Sequence, residues 1–131
     1  MKLLLDTNAF LWAFGRKASL SVTARDALEN SDNQIFLSAI SPWEILIKVG
    51  KGKLNMDTSG WPVGQFLAAQ REALDIESLP VTEATVMQLP KLPPIHQDPF
   101  DRLLICQAIE HGLILVTPDQ HVSRYPIRTL W

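Results

Sequence analysis

Cysteine is nearly missing from this chain: Cys106 stands alone among 131 residues. A single thiol has no partner within the chain and no cysteine cluster around it, which excludes a disulfide-stapled secreted scaffold and a zinc finger. A reducing compartment is the default, and the expectation is a cytoplasmic protein. Long apolar runs are missing too. The opening Met1-Lys2-Leu3-Leu4-Leu5-Asp6 meets a charge far short of a signal-peptide core, and no later stretch is long enough to span a bilayer. Glycine is sparse, and no glycine-rich phosphate loop follows the first apolar run, which disfavours a nucleotide-binding α/β domain. Nor is there an excess of positive charge. A net charge of −2 gives no bulk electrostatic footprint for nucleic acid. That objection weakens where carboxylates hold divalent cations, whose charge then dominates locally. Basic residues remain available at Arg16, Lys17, Lys48, Lys51 and Lys53.

What is present is an alternation of two periodicities. Lys2 to Asp6 predicts a strand, and the apolar stretch Ala9 to Phe14 before Gly15 a short helix. Ser21 to Asn30 predicts a helix and Gln34 to Ser38 a second strand. Ser41-Pro42-Trp43-Glu44 has the form of a helix start, with serine as N-cap, proline at the first position and glutamate closing a capping box. That helix ends at Gly50. A polar loop from Lys51 to Gly60 leads to a helix from about Trp61 to Leu74, a strand near Ile76 to Pro80 and a short helix from Thr82 to Leu89. Pro90, Pro93 and Pro94 stiffen the next segment. Asp98-Pro99 then opens a helix that runs to His111 and stops at Gly112. Leu113 to Val116 reads as a strand buried on both faces, and Ile127 to Trp131 as an edge strand. The alternation predicts one domain over residues 1–131, a three-layer α/β fold with a mainly parallel, twisted sheet flanked by helices.

Four acids hold comparable positions in that scheme. Asp6 closes strand one, Glu44 opens the helix after strand two, Asp101 opens the late helix, and Asp119 follows the Leu113 to Val116 strand. In a parallel sheet all four fall at the carboxyl edge, where open α/β sheets bind their ligands. Like charges gathered there call for a hard divalent cation such as Mg²⁺ or Mn²⁺, which prefers oxygen donors, activates water and stabilises a phosphoryl oxygen. Three of the four also have a structural reading, Glu44 as a capping-box residue, Asp101 as a charge at a helix N-terminus and Asp119 as part of a Pro118-Asp119 turn, and the nearby Asp98 reads as an N-cap. The coincidence of four carries the argument.

Other residues carry less. Thr7 and Asn8 follow Asp6, and Thr117 precedes Pro118-Asp119, where they can orient an acid or a bound water. His96, His111 and His121 have no paired ligand spacing, and none is taken as catalytic; His111 suits the last turn of its helix. Trp12, Trp43, Trp61 and Trp131 are expected to pack in the core rather than stack on bases. Cys106 reads as a small core residue.

Leu5-Asp6-Thr7-Asn8, Ser41-Pro42-Trp43-Glu44-Ile45, His96-Gln97-Asp98-Pro99-Phe100-Asp101-Arg102-Leu103-Leu104-Ile105 and Leu115-Val116-Thr117-Pro118-Asp119 together resemble the PIN-domain family. More narrowly, they resemble the VapC-like toxins of bacterial type II toxin–antitoxin systems. The resemblance runs over essentially the whole chain, and Asp98-Pro99-Phe100-Asp101-Arg102 is its most specific piece. It implies a parallel sheet flanked by helices, Mg²⁺- or Mn²⁺-dependent endoribonuclease activity on RNA, a homodimer and a small antitoxin partner. Carried onto this chain, it makes Asp6, Glu44, Asp101 and Asp119 the metal-binding quartet. Thr7, Asn8 and Thr117 become auxiliary polar residues and Asp98 a near-site acid, with Lys48 and Arg102 as candidate phosphate contacts. Two other readings stay open: a catalytically idle interaction module, and a phosphotransfer domain of receiver or haloacid-phosphatase type. The latter expects a second aspartate two positions after Asp6, where Asn8 stands.

Overall fold

A computed structural model describes all 131 residues. Five strands, β1 (Lys2–Leu5), β2 (Gln34–Ser38), β3 (Glu77–Leu79), β4 (Ile114–Val116) and β5 (Thr129–Leu130), form one sheet in the order β3-β2-β1-β4-β5. Every pairing is parallel. Leu5 lies opposite both Leu37 and Val116, so the carboxyl ends of the three central strands are level. The chain builds outward from β1 through β2 to β3, then crosses back to lay β4 on the other side of β1. Strand order therefore reverses between β1 and β4, and the connections leaving these two strands diverge to open a crevice.

Helices α1 (Thr7–Gly15), α2 (Val22–Glu29), α3 (Ile40–Gly50), α4 (Val63–Ala73), α5 (Glu83–Val86) and α6 (Pro99–His111) cover both faces. Side chains alternate across a strand, so Leu3 and Leu5 enter one apolar cluster and Leu4 the other. The first cluster joins Phe10 of α1, Ala24 and Ala27 of α2 and Leu67 of α4 to Leu37 and Val116. The second joins Leu103 to Cys106 and Ala108 of α6 to Leu115 and Tyr125. Leu3, Leu4, Leu5, Leu104, Ile105 and Val116 have no solvent exposure, as expected of a parallel sheet covered on both sides.

The late helix follows its local signals closely. Asp98 accepts from the amides of Phe100 and Asp101 at 2.8 and 3.1 Å, Pro99 takes the first position, and Gly112 ends the helix in the left-handed region at φ 64°. The helix after β2 does not. Ser41 is inside α3 rather than its N-cap; the flanking residue is Ala39, and Ser38 Oγ accepts from the Ile40 amide at 3.1 Å instead. Pro42 remains in the first turn, where amides have no intrahelical acceptor, so the helix tolerates it. Helix α1 starts two residues before its apolar run because the Asp6 carboxylate caps it. The expected packing of all four tryptophans is corrected as well. Trp12 and Trp131 meet with ring centroids 5.7 Å apart, but Trp43 and Trp61 are more than half exposed. Trp43 faces away from the buried α3 stripe of Ile40, Ser41, Glu44 and Ile45.

A Cβ at Gly112 would meet open space, so the strain of Gly112→Ala comes from the positive φ alone. Urea denaturation is expected to show a loss of about 1 kcal/mol, with the slope against denaturant unchanged.

Candidate active site

The Asp6 amide donates to Val116 O at 3.0 Å, which extends the β1–β4 ladder by one step and holds Asp6 over the crevice. Its carboxylate accepts from the Ala9 amide at 2.7 Å and from the Thr117 hydroxyl, so an N-cap and a residue beyond β4 hold one side chain. Thr7, next in the chain, points toward α3. Its Oγ1 donates to Glu44 Oε1 at 2.7 Å and lies 3.1 Å from Ser41 Oγ. Glu44 is thus held by a tertiary contact, not by a capping box. Its other oxygen, Oε2, accepts from Lys48 Nζ at 2.6 Å, one turn along α3. Glu44 and Thr7 are buried, whereas the Lys48 side chain remains 45% exposed.

From the opposite side come α6 and the turn after β4. Asp6, Thr7, Asn8, Glu44, Lys48, Asp98, Asp101, Pro118 and Asp119 line one cleft of about 210 Å³. Every candidate acid is in that set, and Pro118 is its one apolar member. Asp119 is fixed by a local turn: its amide donates to Thr117 Oγ1 at 3.1 Å and its Oδ1 accepts from the His121 amide at 2.8 Å. Asp98 serves as N-cap of α6 while also facing the cleft. Asn8 is exposed at the cleft rim.

One residue set aside from the sequence belongs here. His96 Nε2 lies 2.7 Å from Asp101 Oδ2 and 3.3 Å from Asp119 Oδ2, joining the two acids. Spacing along the chain missed it because its two partners are supplied by different elements. The proline-stiffened segment before Asp98, which folds back over the start of α6, was the available signal. Arg102, expected at a phosphate, has its guanidinium engaged elsewhere. It donates to the carbonyls of Leu89, Pro93 and His96 and to Tyr125 Oη, at 3.1 to 3.3 Å. It clasps the segment that carries His96 and does not line the acidic cleft.

The electrostatics follow from burial. Asp6 is 8% exposed, and this desolvation pushes its carboxyl pKa from 3.8 to about 6. Hydrogen bonds from Thr117 and Ala9 oppose the shift, and the charges of Asp101 and Glu44 add to it. Asp101 is also raised, chiefly by burial, with the His96 hydrogen bond working against it. Two carboxyls that resist ionisation, Asp6 and Asp101, suit a hard cation, which favours the charged form and binds through oxygen. The donors present are carboxylate oxygens with one imidazole nitrogen, a set that fits Mg²⁺ or Mn²⁺.

A family model described as PIN domain matches residues 3–127. The chain belongs to the PIN-domain family. It is 34% identical over 124 residues to the protein named Ribonuclease VapC22 of Mycobacterium tuberculosis, covering 93% of this chain and 90% of that one. Among solved structures, the VapBC2 complex of Rickettsia felis bound to a promoter DNA fragment superposes with a TM-score of 0.70 at 18% identity, covering 98% of this chain and 97% of that one. The VapBC-1 complex of nontypeable Haemophilus influenzae gives 0.55 at 18% identity over 98% and 96%. The likeness is one of fold, which in this chain is a five-stranded parallel sheet between helices.

Burial of Asp6 gives a stability prediction for the metal-free protein. The folded chain keeps the Asp6 proton to about pH 6, whereas the unfolded chain loses it from about pH 3.8, so stability falls as pH rises through that window. Asp6→Asn keeps an oxygen to accept from Ala9 and has no charge to bury. It is expected to match the parent near pH 3.5 and to exceed it by up to about 3 kcal/mol at pH 7.5, as measured by chemical denaturation in EDTA. An equal pH dependence in the two proteins would refute the assignment.

Proposed function

We propose that this protein is a metal-dependent endoribonuclease that hydrolyses RNA phosphodiester bonds, acting as the toxin of a type II toxin–antitoxin pair. The observation that carries this reading is the convergence of Asp6, Glu44, Asp101 and Asp119 on one polar cleft at the β1–β4 switch point of a PIN domain. The ribonuclease name of the 34%-identical relative supports the substrate class. The phosphotransfer alternative has less support, because a PIN-family match accompanies Asn8 where a second aspartate would be needed.

Asp6, Glu44, Asp101 and Asp119 would hold Mg²⁺ or Mn²⁺, which when bound supplies an activated water and stabilises charge on the phosphoryl oxygens. The chain's own residues do the rest. Thr7 fixes the rotamer of Glu44, leaving Oε2 toward the cleft, where Lys48 balances it. Thr117 orients Asp6 and supports the turn of Asp119. Asn8, at the exposed rim, and Lys48, half out in solvent, are placed to meet a phosphate backbone. Asp98 acts mainly by capping α6, which holds Asp101 at its N-terminus.

The partner chemistry follows the same reading. The solved relatives include toxin–antitoxin complexes, which supports a small antitoxin that covers the cleft. The exposed pair Trp43 and Leu46 on α3, with Trp43 against Phe100 at 5.4 Å, supplies an apolar surface suited to a homodimer. No helix is long and apolar enough to cross a membrane, and we assign the protein to the cytoplasm, where its RNA substrate would be.

Incubation of labelled total RNA with the purified protein tests the reading. Discrete fragments are expected with Mn²⁺ or Mg²⁺ and none with EDTA. Glu44→Gln and Asp101→Asn should lower the cleavage rate at least about a hundredfold while the protein stays folded. Lys48→Gln should chiefly weaken RNA binding and flatten its salt dependence. Cleavage by the acid variants at the parental rate would remove the quartet from the mechanism, and metal binding without cleavage of any RNA would favour an interaction module.

A further inference from the structure

We propose that His96 is a nitrogen ligand of the ion held in the acidic cleft, and that it biases this centre toward Mn²⁺ over Mg²⁺. The inference rests on the metal-dependent reading above and assigns a donor that the carboxylate quartet does not contain. His96, Asp101 and Asp119 each offer one ligand atom, and these atoms all lie within 4.8 Å of one another. The two separations from Nε2, 2.7 and 3.3 Å, bracket the spacing of neighbouring donors around one ion. Ligand distances of about 2.1 Å in a near-octahedral site put adjacent donors about 3 Å apart. One cation therefore needs little rearrangement to take the place of these contacts, the hydrogen bond to Asp101 and the closer approach to Asp119.

The ring is delivered to this point by a scaffold that involves neither acid. The His96 amide donates to Tyr125 Oη at 2.8 Å, and Tyr125 Oη donates to Pro93 O at 2.9 Å. Arg102 Nη1 reaches Pro93 O, His96 O and Tyr125 Oη, closing a clasp around residues 93–96. Tyr125 is only 3% exposed, so the clasp is anchored in the core of the α6 face. Such preorganisation is what keeps a ligand rotamer fixed before the ion arrives. Outside this scaffold, the His121 ring lies roughly parallel to His96, with centroids 5.9 Å apart and 21° between planes.

The chemical consequence is selectivity. Carboxylates alone suit Mg²⁺, Ca²⁺ and Mn²⁺ alike, whereas imidazole is a donor for transition metals and a poor one for Mg²⁺. Exchanging one oxygen for Nε2 therefore favours Mn²⁺ without expelling Mg²⁺ from the oxygen donors.

Mn²⁺ titration of the metal-free full chain, read by electron paramagnetic resonance, tests the assignment, with ¹⁴N modulation of the bound Mn²⁺ recorded by electron spin echo. Wild-type protein is expected to show nitrogen coupling, and His121→Gln to retain it. His96→Gln should lose the coupling and bind Mn²⁺ at least about tenfold more weakly, with a smaller change for Mg²⁺ measured by competition. Bound Mn²⁺ without nitrogen coupling in the wild type overturns the proposal, and this result needs no variant to fold. Loss of Mn²⁺ binding in Asp6→Asn alongside that result would leave the nuclease reading intact and remove only His96. A wild-type protein that binds no Mn²⁺ would overturn both.

Discussion

Acids brought together at the end of a buried sheet repel one another and resist desolvation, and the architecture around the β1–β4 crevice is arranged about that conflict. Asp6 is buried at the carboxyl end of β1, and desolvation, with the neighbouring charges of Asp101 and Glu44 adding to it, pushes its carboxyl pKa to about 6. Around it, positive or hydrogen-donating groups come from separate parts of the chain. The Ala9 amide is at the start of α1, the Thr117 hydroxyl lies beyond β4, Lys48 is one turn along α3, and His96 comes from the proline-rich segment. Each carboxylate is partly balanced by these groups, and a cation held among them would balance the whole. Folding energy from two apolar clusters sustains a site that disfavours folding locally.

Two functions are combined in several of these side chains. Asp6 is both an N-cap and a candidate ligand, and Asp98 starts α6 while bordering the cleft. A carboxylate that terminates a helix has its direction fixed by backbone amides, so its geometry is as rigid as the helix itself. Thr7 does the same for Glu44 through a hydroxyl. The cleft is consequently built on element ends rather than on long loops, which favours precise spacing among donors.

Much of this could be read from the residues in order. The Asp98-Pro99 start and Gly112 stop of α6 obey rules confined to a few neighbouring residues, and α6 follows them. The apolar runs at Lys2 to Leu5 and Gln34 to Ser38 became β1 and β2, and the parallel sheet followed from their alternation with helices. Asp6, Asp101 and Asp119 fell at one edge because each follows a strand or opens a helix, whereas Glu44 reaches it from the second turn of α3. What escaped depended on contacts between distant segments. The Ser41 capping box failed because Glu44 is held by Thr7 and Lys48, and the helix begins earlier, at Ile40. Trp43 proved exposed because the inward stripe of α3 includes Ser41 and Glu44, polar residues that a hydrophobic pattern assigns outward. His96 and Arg102 exchanged expected importance for the same reason: one is carried against Asp101 and Asp119 by a fold-back, the other is consumed in holding that fold-back.

The strand order carries a consequence for the timing of activity. The cleft needs Asp6 from the first strand and Asp119 from the turn after β4, which slots in beside β1 only after β2 and β3 are in place along the chain. A nascent polypeptide therefore has acids but no complete centre until β4 and the turn that carries Asp119 have been made. For an enzyme that would degrade RNA, this order would keep the cleft incomplete while every element before β4 is being made.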